Sequence, residues 1–112
     1  MNQQPRILSA TPKTEFRVGG HRAVLFADIV PAGRFIGYRH IVAVFEGQEP
    51  HPCMFVAAET SSINENSRVA PFLGIFDDAG HHNLGQSEDW ADERLFTAKA
   101  LSLISDRFGT RH

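Results

Sequence analysis

Residues 22–30 (RAVLFADIV), 35–45 (FIGYRHIVAVF) and 53–58 (CMFVAA) read as three consecutive strands. β-Branched and aromatic side chains fill them, and turn residues separate them. Pro31-Ala32-Gly33-Arg34 follows the first, and Glu46-Gly47-Gln48-Glu49-Pro50 follows the second. Connections this short suit antiparallel neighbours, because a parallel crossover needs a dozen or more residues. Alternation along these strands does not sort polar from apolar residues: both faces come out mainly apolar. A sheet with two apolar faces needs two covers.

Upstream, residues 14–18 form a short first strand, joined to the next by a Gly19-Gly20 hairpin turn. Residues 1–13 carry two prolines and little periodicity, and read as a flexible N-terminal arm ahead of a single α+β domain over 14–112. Downstream, residues 61–70 (SSINENSRVA) form a polar loop, 72–76 a fifth strand, Asp77-Asp78-Ala79-Gly80 a tight turn and 81–86 a short sixth strand. Residues 88–108 are the one convincing helix. Ser87 or Asp89 caps it, acids fill its first turn, Arg107 sits in its last turn and Gly109 stands at C′. Ala91, Leu95, Ala98, Leu101, Ile104 and Phe108 recur at steps of three and four as its apolar stripe. The expected fold is α+β: an antiparallel meander of five or six strands with one C-terminal helix packed on one face. A half-open barrel around that helix is the alternative.

Turn lengths predict the pairing. Val30 opposite Phe35 sets Leu25 opposite His40 and Asp28 opposite Gly37. Glu46 opposite His51 sets His40 opposite Ala57 and Tyr38 opposite Glu59. One face then carries Leu25, Tyr38, His40, Val42, Phe55 and Glu59, and the other Phe26, Phe35, Ile41, Phe45 and Val56. A helix ~10–12 Å wide cannot blanket five strands spanning roughly 20 Å. The helix is expected on the Phe26–Phe45 face, where polar interruptions are fewest. The Tyr38–His40–Glu59 face is left for a second subunit, a protein partner or a small ligand. A large exposed apolar patch marks an interface, so a symmetric homodimer is the leading expectation, and the chain reads as a binding module rather than an enzyme.

Composition narrows the classes. The chain has 112 residues, 42% hydrophobic and 21% charged, with nine Phe against one Trp and one Tyr. That Phe load predicts a Phe-rich core. A net charge of −2 and scattered basic residues give no nucleic-acid footprint. Cys53 is alone, so no intrachain disulfide forms. The N-terminal residues hold no apolar signal core and no run is long enough for a membrane span, so a cytoplasmic protein is expected.

Three groups could carry chemistry. Tyr38, His40 and Glu59 would share a face on the expected register: a carboxylate can tune an imidazole into a general base, and a phenol can donate to a developing oxyanion. The plainer account is a polar network that satisfies itself. Asp77, Asp78, His81 and His82, with Glu88, Asp89 and Asp92 beyond, have metal-ligand chemistry. Adjacent histidines on a strand point to opposite faces, however, and each acid has a local turn or cap role, so no metal site and no cofactor is assigned. Asp28 and Arg39 lie diagonal across the first long hairpin and could form an ion pair that fixes an interface or lines a pocket. No phosphate loop or nucleophile elbow accompanies them.

Overall fold

Gly19 turns the chain with a left-handed φ of 60° between β1 (Ile7–Val18) and β2 (His21–Pro31), and the meander continues through β3 (Ile36–Glu46), β4 (Met54–Ser61), β5 (Phe72–Asp77) and β6 (Gly80–Gln86). The structure, a computed structural model, describes residues 4–33, 36–61 and 70–108. Arg34 and Phe35, the loop over 62–69 and the C′ position Gly109 lie outside the described residues. The six strands form one antiparallel sheet in chain order, and a single α-helix, α1 (Glu93–Phe108), packs against it. This is the expected α+β meander. The first strand begins at Ile7 rather than Thr14, so residues 7–13 of the expected arm are sheet. Pro12 is tolerated there because β1 is an edge strand with one side free of ladder bonds.

The expected helix over 88–108 is split. Ser87 caps only a single 3₁₀ turn, Glu88–Ala91, its Oγ accepting from the Asp89 N–H at 3.1 Å. Asp92 then adopts an extended conformation and caps α1, its Oδ1 accepting from the N–H groups of Arg94 (2.9 Å) and Leu95 (3.2 Å). A short acid that bonds its own downstream amides favours a cap over a helix interior. The buried stripe of α1 is Phe96, Ala100 and Ile104. Leu95, expected inside, is 49% exposed.

Two pairings decide the faces. β2 and β3 pair Leu25 with Val42 and Phe26 with Ile41, two residues from the expected register. An even slip keeps every side chain on its face. β3 and β4 pair Tyr38 with Glu59 as expected, but a bulge at Arg39 then sets His40 opposite Ala58 and Val42 opposite Val56. That odd step reverses the expected faces of β4 and separates Tyr38 from His40. Beneath α1 lie Ala23, Leu25, Val42, Val44, Met54, Val56, Ala58 and Leu73, packed with Phe96, Ala100 and Ile104. The helix therefore sits on the face opposite to the expected one. The reason is size: Phe96 and Ile104 need a floor of Ala and Val to sink into, and the other face carries bulky rings.

That other face has its own cluster, in which Ile41, Ala57 and Phe76 are buried beneath half-buried Ile7, Phe26, Ile29, Tyr38 and Phe55. The core is accordingly less Phe-rich than composition suggests. Among the described residues only Phe96 and Phe76 are buried phenylalanines, and Val, Ala, Leu, Ile and Met fill the rest. The other described phenylalanine rings are half-buried.

Candidate functional site

Glu59 stands near the end of β4 on the face that α1 leaves open, and it is 7% exposed among apolar neighbours. A buried carboxylate needs partners. Its partner is His81 of β6, whose Nε2–H donates to Glu59 Oε2 at 2.8 Å. β5 lies between them, and Gly74 makes the approach possible. A Cβ at Gly74 would collide with Glu59 Oε2 and stand 3.0 Å from His81 Nε2. The glycine is there for space, which is the usual meaning of a glycine inside a strand. The His81 ring also lies flat on Phe76, with centroids 4.1 Å apart and planes 8° apart. One contact fixes the imidazole edge and the other fixes its plane. The ring remains reachable: the His81 side chain is 39% exposed, against 9% for Glu59.

Tyr38 flanks Glu59 from β3. Its hydroxyl oxygen accepts from the Arg6 N–H at 3.2 Å, which leaves the phenolic proton free to donate. Burial pushes the Tyr38 phenol above its ordinary value; the Arg6 N–H pulls it back, and the Glu59 charge adds to the rise. Tyr38 is therefore a neutral donor at physiological pH. His40 is elsewhere. It lies on the helix side, with Nε2 3.1 Å from the Ala91 carbonyl oxygen and its ring 5.3 Å from that of Phe96. With its N–H donated to that carbonyl, His40 fastens the 3₁₀ turn to β3. Of the expected trio the fold brings Tyr38 and Glu59 together and replaces His40 with His81. The signal that could have found His81 is Gly74, an isolated glycine inside an apolar strand.

Asp28 and Arg39 are both exposed, and among the described residues no ion pair joins them. Asp28 adopts a left-handed φ of 51° at an irregularity in β2, and Arg39 is the bulge residue of β3. Both are backbone irregularities rather than members of a regular cross-strand pair.

His82 and Asp77 meet on the helix side, Nε2 3.3 Å from Oδ1, while His81 faces the opposite side. Asp77 is 2% exposed and receives Arg107 Nη1 at 2.6 Å and the Ala79 N–H at 2.9 Å. Arg107 Nη2 also stands 3.9 Å from Asp78. Burial favours the neutral Asp77 acid, but the Ala79 N–H and the Arg107 guanidinium outweigh it and hold the carboxyl below its ordinary value. This cluster pins the end of α1 to the β5–β6 turn. Among the described residues no group of three or more His, Cys, Asp and Glu side chains converges as metal ligands. Burial also pushes the Cys53 thiol up, against nucleophilic use.

Two grooves flank β1. One, about 420 Å³, lies between β1 and α1 over Phe16, Leu25 and Leu101, with the Lys13–Glu93 ion pair at its rim. The other, about 410 Å³, lies on the open face over Val24, Phe26 and Phe45. Its rim carries Lys13, Glu15 and Arg22, and it lies on the β1–β3 side of the sheet, whereas the Glu59–His81 pair joins β4 to β6. No helix of the described residues is long and apolar enough to cross a membrane. Comparison with protein-family models, with curated proteins and with solved structures finds no match.

Proposed function

We propose that this chain is a non-catalytic binding module of the cytoplasm that works through the helix-free face of its sheet, and that a second copy of the chain docks there. The observation that carries this reading is the asymmetry of cover. α1 rests on the Ala23–Val42–Val56 face, and the opposite face presents Ile7, Phe26, Ile29, Tyr38 and Phe55 half-buried around its small buried cluster. Aromatic side chains of this kind dominate protein interfaces. Lone Cys53 suits a reducing compartment. The test is the mass in solution by light scattering after size exclusion. The reading expects a dimer at tens of micromolar that Phe55→Asp converts to a folded monomer. A wild-type monomer at that concentration overturns it.

A second reading is favoured by one specific observation, the Gly74 cradle that holds a buried carboxylate against a reachable imidazole. On that reading the open face is a small-ligand site built from Tyr38, Glu59 and His81, with half-buried Phe55 on the same face.

A further inference from the structure

We propose that Glu59 and His81 form a general-base dyad on the open face, serving small, flat, apolar substrates that carry an acidic C–H bond. This rests on the second reading, that the face binds a small ligand. A carboxylate accepts hydrogen bonds and donates none, so the proton between the two groups belongs to His81 Nε2. In the neutral imidazole the lone pair is then on Nδ1, the only ring nitrogen able to take a proton. Three contacts hold that state. Glu59 binds the N–H edge, Phe76 stacks on the ring face, and Gly74 leaves the space both groups occupy. A base with its orientation fixed in advance needs little reorganisation when it reacts.

The burial pattern has the polarity such a dyad needs. Glu59 is enclosed and His81 is reachable, so an incoming molecule meets the imidazole and not the carboxylate. Glu59 is a positioning residue: it sets the tautomer and balances the imidazolium that forms. The surroundings select the substrate class. Half-buried Phe26 and Phe55 present aromatic surface on the same face, which favours an apolar, planar body. In the step itself the C–H bond breaks, its proton moves to Nδ1, its electron pair forms a new π bond, and the bond to a leaving oxygen breaks so that the oxygen departs as an anion. The imidazolium then returns the proton to water.

Nitrobenzisoxazole is a suitable probe. It is flat and apolar, and removal of its ring C–H proton breaks the N–O bond and releases a coloured cyano-nitrophenolate. With the full chain, the expected rate per site is roughly 100-fold above that of equimolar free imidazole, in line with positioned general bases. His81→Gln on the exposed edge strand should return the rate to background, and His82→Gln should leave it unchanged. Glu59→Gln should lower kcat and leave KM in place. Nitrogen-15 NMR of the wild type should show Nε2 protonated and Nδ1 bare, and Glu59→Gln should mix the tautomers. Saturable binding without turnover overturns the proton-transfer proposal while the ligand face stands. Neither binding nor turnover overturns both. A rate retained in His81→Gln, or a His81 protonated at Nδ1, overturns the dyad even if the Glu59 variant fails to fold.

Discussion

The covered and open faces of this sheet are made from the same strands, yet they solve different packing problems. On the covered face small residues predominate: Ala23, Val42, Val44, Val56 and Ala58 form a smooth floor into which Phe96 and Ile104 of α1 sink. On the open face the strands supply the large rings themselves, and these shelter Ile41 and Ala57 without a helix. The polar pairs differ in the same way. Asp77 on the covered face is tied to Arg107 and serves to dock the helix end, whereas Glu59 on the open face is tied to a histidine that remains reachable. The helix rests where small side chains predominate, with Leu25, Met54 and Leu73 between them, rather than where polar interruptions are fewest.

Phe96→Ala tests the comparison most severely. It empties a fully enclosed position and should cost about 3–5 kcal/mol. Phe55→Ala on the open face should cost clearly less, and equal losses in chemical denaturation would erase the distinction between the faces. Asp77→Asn should cost about 2–3 kcal/mol by leaving the Arg107 guanidinium without its charged partner. Because the folded-state carboxyl is held below its unfolded value, its contribution is complete above the ordinary carboxylate range and is lost as pH falls through the folded value. Thermal melts across pH should therefore show an acid limb that flattens in Asp77→Asn.

Gly74→Ala should cost about 1–3 kcal/mol, because the new methyl group meets the Glu59 carboxylate. Adding Glu59→Ala should recover part of that loss, and strictly additive effects would show that the cradle is not what constrains the glycine. The smallest effect is expected at Tyr38→Phe, about 0.5–1.5 kcal/mol for the lost acceptor of the Arg6 N–H. Tyr38 is the only tyrosine, so ultraviolet titration reads it alone. Its phenol should ionise above the ordinary value, and Glu59→Gln should bring it part of the way down, since burial is the larger cause and the Glu59 charge a smaller one.

Pattern and turn chemistry carried much of the architecture. Gly19-Gly20, the short connections and the β-branched runs were enough for a meander, and the apolar steps over 88–108 were enough for a helix, although that helix starts at Glu93 and leaves Leu95 and Ala98 of the expected stripe exposed. The Tyr38–Glu59 pairing matches the expected one because the Arg39 bulge offsets a one-residue difference at the turn, where Val44 faces Met54 rather than Cys53. The neighbouring site was not legible. Arg39 reads as an ordinary strand residue, and nothing local announces that it takes an extra place in β3. That one residue sends His40 under the helix and leaves Glu59 to find its imidazole two strands away on β6.

By itself, then, the sequence determined the element order, the antiparallel meander and the presence of a single helix, because hydrophobic periodicity and turn residues act over a few positions at a time. The tertiary structure alone decided which face the helix covers, which histidine meets Glu59 and what Gly74 makes room for. Those outcomes depend on bulges and on the sizes of side chains from distant strands, which contribute no local period and acquire meaning only when the sheet is assembled.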